Sequence, residues 1–214
     1  RMEGIDDSKV GAWLEANVPG FEAPYQYELI TGGHSNLTFA CIDNSGRRVV
    51  LRRPPLGHVL ESAHDMGREH KIISALESSS VPVPKTYGLC SDPEVNGASF
   101  YVMDFIDGVV LNDSTVSVAI QDSDRPALGE HVINILCDLH AVDIDAVGLG
   151  DLGRKEAYLA RQLNRWSKQW VASKTHEIPA MEACQSLLSE RMPDQIGASI
   201  VHGDFRPGNT ITHA

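Results

Sequence analysis

From Tyr25 to Arg53 the chain runs YQYELI, NLTFACI and RRVVLRR, three β-branched and aromatic stretches, and from residue 122 onward its apolar residues recur at helical spacing. This order constrains the fold more than any other feature, because period-two strands and period-3.6 helices demand different partners. Asp43-Asn44-Ser45-Gly46 separates the second and third runs with residues that tolerate left-handed φ, which predicts a hairpin within a β-meander. Ahead of it, DDSKVGAWLEANV sets Val10, Trp13, Leu14 and Val18 at helical spacing behind Asp and Ser cap candidates. Residues 61 to 78 return to helix, VPVPKTYGLC reads as extended chain, and ASFYVMDFI reads as a strand ending at Asp107-Gly108. DRPALGEHVINILCDLHAV, KEAYLARQLNRWSKQWVAS and PAMEACQSLLSERM then predict three helices. The expected class is α+β, with a β-rich lobe over residues 1–106 and a mostly helical lobe over 107–214, meeting near Ile106 to Val110.

Several polar residues stand where the pattern gives them no structural reason. Glu69 falls on the helical stripe of Met66, Ile72, Ile73 and Leu76, so its carboxylate either reaches water at the edge or has a cationic partner. The cations in reach are Arg52 and Arg53, which alternation sends to opposite faces of their strand. Between the first two strands ITGGHSNLTF supplies glycines and a hydroxyl of the kind that cradle phosphate oxygens, or simply a tight hairpin. Gly148 to Gly153 matches G-x-G-x-x-G, but a helix and polar chain precede it instead of a strand, so it is read as a loop and not as a dinucleotide site.

The last stretch, IVHGDFRPGNTITHA, contains H-x-D-x-x-x-x-N at His202, Asp204 and Asn209 behind an apolar lead-in, Ser199 to Val201, read as a strand. In phosphoryl-transfer enzymes that spacing puts a proton acceptor and a metal ligand on one tight loop. Asp and Asn capping turns around Pro207-Gly208 is the plainer explanation. The glycine-rich turn, strand arginine and helix glutamate upstream weigh against it.

Charge narrows the partners. A formal net charge of -11 leaves too few clustered cations for a phosphate-backbone binder, so no nucleic acid is expected. Four scattered cysteines point to a reduced compartment, with Cys137 read as a core thiol and His140 as an ordinary helix residue. No apolar run approaches the ~20 residues of a membrane span, and the expected setting is cytoplasmic, without a membrane partner. The first residue is Arg1 and not Met, which hints that the numbering does not begin at a natural start.

With these elements in order, the chain resembles the aminoglycoside phosphotransferase and choline kinase-like family, which is similar in fold to protein kinases. GGHSNLTF, VVLRRPPLG, SAHDMGREHKIISAL, VPVPKTYGLC, SFYVMDFIDG and VHGDFRPGN are most similar to the branch whose kinase domain is fused, in some animals, to an acyl-CoA dehydrogenase. The resemblance implies a bilobal fold, ATP and Mg²⁺ as cofactors, and a small-molecule acceptor with a hydroxyl group: a hydroxy-acid, a hydroxyacyl-CoA or an aminoglycoside-like compound. It implies Gly32, Gly33, Ser35 and Asn36 as the nucleotide loop, and Arg52 in the place where most members carry a phosphate-binding lysine, with Glu69 as its helix partner. Met103, Asp104, Phe105 and Ile106 become the adenine hinge, Asp204 the catalytic base beside His202 and Arg206, and Asn209 a Mg²⁺ ligand. The family carries a further metal-binding aspartate and substrate helices after the asparagine, so the chain is expected to be a C-terminally truncated piece. The alternative is a catalytically inactive, pseudokinase-like nucleotide-binding module.

Overall fold

The computed structural model describes residues 2–30, 36–57, 65–112, 118 and 120–212. Its elements are α1 (Asp7–Asn17), β1 (Gln26–Leu29), β2 (Leu37–Ile42), β3 (Arg48–Arg53), α2 (Met66–Leu76), β4 (Thr86–Cys90), α3 (Pro93–Asn96), β5 (Phe100–Asp104), α4 (Arg125–Ala141), α5 (Tyr158–Ser173) and α6 (Pro179–Glu190). The strands form one antiparallel sheet in the order β1-β2-β3-β5-β4.

Alternation divides the central strands cleanly. Phe39, Cys41, Val49, Leu51, Phe100 and Val102 face one side and pack with Val10 and Leu14 of α1 and with Val18, which caps it, into the core. Each such aliphatic or aromatic side chain contributes about 1.5–3 kcal/mol by leaving water. Helix α1 begins where the Asp6 carboxylate accepts from the Lys9 amide at 3.3 Å, and α2 begins likewise where Asp65 accepts from Arg68 N at 2.9 Å. Helix α2 covers the other sheet face, over β4 and β5, and buries Met66 and Leu76. The β4–β5 register shifts between Thr86 and Gly88, the kind of bulge that re-aims a side chain, here at Tyr87. The short helix α3, capped by Asp92 and stopped by Gly97 at φ +73°, had no counterpart in the sequence reading.

The chain divides into two compact units, Arg1–Val142 with Val201–Ala214, and Asp143–Ile200. In the first, α4 buries only Leu139, and Cys137 is exposed, which corrects its reading as a core thiol: one apolar neighbour at helical spacing does not put a position on a covered face. In the second, α5 and α6 bury no residue, and Lys174 joins them through Glu177 at 3.0 Å and Glu182 at 3.3 Å. Residues 148 to 153 are turns and coil between α4 and α5, with no strand before them.

Candidate active site

Strand register builds the first half of the site. Thr38 of β2 pairs with Arg52 of β3, and Arg52 pairs with Tyr101 of β5, so three polar side chains form one row across the sheet on the face that α2 covers. Helix α2 presents Glu69 in its first turn, where the helix dipole favours an anion. Glu69 Oε2 accepts from Arg52 Nε at 2.8 Å and from the Tyr101 hydroxyl at 3.1 Å, and Oε1 accepts from Asn36 Nδ2 at 2.9 Å. Arg52 Nη1 also donates to Thr38 Oγ1 at 3.0 Å. The Arg52 and Glu69 side chains keep only 28% and 33% of their surface, so this pair is partly withdrawn from water and more than a rim contact. Burial, with the Glu69 charge adding to it, raises the Tyr101 pKa and keeps its hydroxyl a donor. Beside it, burial holds the His70 pKa low against the opposing pull of Glu77, and the imidazole meets the Tyr101 ring edge-on.

Arg53 points the other way. It is 5% exposed, its Nη1 donates to Gly4 O at 2.7 Å and Asn96 O at 2.9 Å, and burial lowers its pKa. It lines a cavity of about 540 Å³ formed by the N-terminal residues and α3, on the α1 side of the sheet and away from Glu69. Of the two terminal arginines, Arg52 alone meets the helix carboxylate. Gly32, Gly33 and Ser35 lie outside the described residues.

Several contacts hold the end of β5 and the segment that follows it. Asp104 N donates to Lys85 O at 2.8 Å, and the Asp104 carboxylate accepts from the Tyr87 hydroxyl, which in turn accepts from Arg47 Nη2 at 2.9 Å. The Arg48 guanidinium lies 4.0 Å over the Phe105 ring and pairs with Asp107. Met103 is paired in the sheet, and Ile106 is 38% exposed.

The His202–Asn209 loop is tied within itself. Asn209 Nδ2 donates to Asp204 Oδ2 at 2.7 Å and to Asp204 O at 2.8 Å, and Arg206 Nε lies 3.4 Å from Asp204 Oδ1. His202 Nδ1 accepts from Asp204 N at 3.3 Å and the imidazole meets Phe205 edge-on. Gly203 sits at φ +84°, which a side chain would strain. Pro207–Asn209 forms a single 3₁₀ turn that presents Asp204 and Asn209 to solvent.

One expectation fails here. Ser199 to Val201 form no strand, and Val201 is 68% exposed: a β-branched run becomes a strand only against a partner edge. The loop is instead anchored on its far side, where Val109 and Thr212 exchange two backbone bonds of 2.8 Å each. Gly108 permits this approach, since a Cβ there would stand 2.5 Å from Ile211 Cγ2 and 2.6 Å from Thr212 O. In the sequence Gly108 marked only the end of a strand, and Thr38 and Tyr101 went unremarked because strand spacing does not disclose which residues lie opposite one another.

The arrangement therefore gives one set, Asn36, Arg52, Glu69, Thr38 and Tyr101, around a helix carboxylate, and another, His202, Asp204, Arg206 and Asn209, on one loop. Comparison with known proteins places the fold and the family. Over 181 residues the chain is 38% identical to acyl-CoA dehydrogenase family member 10 of Mus musculus, covering 85% of this chain and 17% of that protein. Over 214 residues it is 33% identical to acyl-CoA dehydrogenase family member 11 of Rattus norvegicus, covering 98% of this chain and 27% of that protein. The chain thus spans about a quarter of these relatives or less. A solved Ralstonia eutropha protein described as a candidate aminoglycoside phosphotransferase superposes with a TM-score of 0.84 at 35% identity, covering 97% of this chain and 60% of that one. The fold is the kinase-like one of aminoglycoside phosphotransferases, with its antiparallel five-stranded sheet. Residues 26–214 match the family model described as APH, Phosphotransferase enzyme family, and the chain belongs to that family.

Proposed function

We propose that this chain is the nucleotide-binding and catalytic-loop portion of an ATP- and Mg²⁺-dependent small-molecule kinase. The hydroxyl oxygen of the acceptor bonds to the γ-phosphorus, the bond from that phosphorus to the β-phosphate oxygen breaks, ADP leaves, and the hydroxyl proton passes to the Asp204 carboxylate. Residues 1–106 form the nucleotide lobe in this reading and 107–214 carry the loop. Gly32, Gly33, Ser35 and Asn36 form the loop over the phosphates, Arg52 binds them, and Met103 to Ile106 contact adenine. His202 and Arg206 hold the Asp204 loop in shape.

The observation that carries the reading is the Glu69 carboxylate, which gathers Arg52, Tyr101 and Asn36 from three different segments. A half-buried cation restrained in this way is prepared to meet an anion at little reorganisation cost. The loop residues fit Mg²⁺ by donor type. The Asn209 amide nitrogen is spent on Asp204, which leaves its carbonyl oxygen as a hard donor beside a carboxylate. Among the described residues no three His, Cys, Asp or Glu side chains gather into a cage, and Mg²⁺ commonly needs only one or two protein oxygens beside phosphates and water. Bound there, the ion would neutralise phosphate charge.

For the acceptor we favour a hydroxy-acid or hydroxyacyl-CoA over an aminoglycoside-like compound, since the curated relatives are named for acyl-CoA dehydrogenation. The net charge of -11 supports the absence of a nucleic-acid partner. Among the described residues no helix is long and apolar enough to cross a membrane. A cytoplasmic setting is supported by the four scattered cysteines, which suit a reduced compartment.

The test is phosphate transfer from ATP to a panel of hydroxylated acceptors, read by mass spectrometry, in the wild type and in Asp204→Ala. A loss of about 10²–10⁴-fold is expected, the usual worth of a positioned general base. Equal rates would remove Asp204 from its role, and nucleotide binding without transfer in either protein would favour the pseudokinase-like module.

A further inference from the structure

Arg52 stands where kinases of this shape mostly carry lysine, and the two cations ask different things of their surroundings. An ammonium is a point charge with three rotatable donors; a guanidinium is a rigid plane with five N–H donors, and its outer edge is aimed only when the plane itself is held. Glu69 alone, at Nε, leaves that plane free to turn about the Nε bond. The second hold comes from Thr38, whose Oγ1 accepts from Nη1 at 3.0 Å. The contact follows from register, because Thr38 and Arg52 are direct cross-strand partners on one face of the sheet. With Nε on Glu69 and Nη1 on Thr38, Nη2 is the guanidinium group that no described residue engages.

We propose that Thr38 is a positioning residue specific to arginine: its hydroxyl fixes the plane of the Arg52 guanidinium so that Nη2 is the donor offered to the nucleotide phosphates. This rests on the reading of Arg52 as the phosphate-binding cation. A lysine in the same place could pair with Glu69 and with phosphate without using Thr38 at all. The hydroxyl therefore matters only while residue 52 is arginine.

Titration calorimetry of the full-length protein with MgATP tests this in four versions: wild type, T38V, R52K and the double variant. Valine keeps the β-branched shape that the strand packs and removes only the acceptor. T38V is expected to weaken MgATP binding roughly tenfold, the worth of about one hydrogen bond. The double variant should bind no more weakly than R52K. T38S, which restores the hydroxyl, should return to within about twofold of wild type, and the thermal midpoint of T38V should match that of wild type, which a merely structural role would not allow. If valine is not tolerated, T38A gives the same comparison. Wild-type affinity in T38V, or an equal loss when the substitution is added to R52K, overturns the proposal while leaving Arg52 its role. A wild-type full-length protein that does not bind MgATP overturns that role and this inference together.

Discussion

Cys41 and Cys137 show how little a residue's identity says about its chemistry. Cys41 is fully buried between β1 and β3, and burial pushes its thiol pKa up to about 12, despite an opposing backbone hydrogen bond from Leu51. Cys137 and Cys184 are exposed. Because the thiolate is the reactive form and must be reached by reagent, iodoacetamide at pH 8 should label Cys137 and Cys184 in the native chain and leave Cys41 intact until urea is added. Peptide mapping by mass spectrometry checks this, and comparable labelling of Cys41 and Cys137 would contradict the packing described. The two arginines at the end of β3 teach the same lesson. Alternation stated that Arg52 and Arg53 face opposite ways, but both faces proved to be covered, so only the identity of the cover, α2 with Glu69 or the N-terminal Gly4 with Asn96 of α3, separated an arginine paired with a helix carboxylate from a structural staple.

At the scale of elements, the β2–β3 hairpin was legible because its turn chemistry is local. Asp43 accepts from Ser45 N at 2.9 Å, Ser45 Oγ at 2.7 Å and Arg47 N at 2.9 Å, while Gly46 takes φ +84°. Partial desolvation pushes the Asp43 carboxyl upward, but these donors outweigh it and hold its pKa below the ordinary 3.8. The folded chain thus binds this proton less readily than the unfolded one, so the stabilisation is present above the ordinary aspartate range and is lost as pH falls through the lowered value. Asp43→Ala should lower the thermal midpoint at pH 7, with the difference from wild type shrinking as pH falls below the ordinary aspartate value of 3.8. A gap independent of pH would mean that the carboxylate charge is not what the turn uses. Ser199 to Val201 failed as a strand for the converse reason: local preference was present and a neighbouring edge was not.

Across the whole molecule the decisive contact is between residues about a hundred apart. Val109 and Thr212 pair, and Gly108 leaves room for Ile211, so the chain just past the sheet and the chain just past the Asp204 loop are held together. Gly108→Ala forces a methyl group into that space and should cost about 1–3 kcal/mol, as overpacking does. Hydrogen exchange should show faster exchange at the Val109 and Thr212 amides while Leu51 and Val102 in the sheet stay protected. Unchanged exchange at Thr212 would show that this closure does not hold the loop.

What the sequence by itself determined was whatever depends on spacing along the chain: the meander and its turn, a helix within residues 6–18 and another within 61–78, the α+β class, and the family to which the chain belongs. What tertiary structure decided was everything that depends on which residues stand opposite one another: Thr38 and Tyr101 beside Arg52, Arg53 turned to the N-terminal residues, and the Gly108 closure. Helix and turn signals lie within a few residues of one another and act before the chain is compact, whereas register and cover arise only when distant segments bury their faces together.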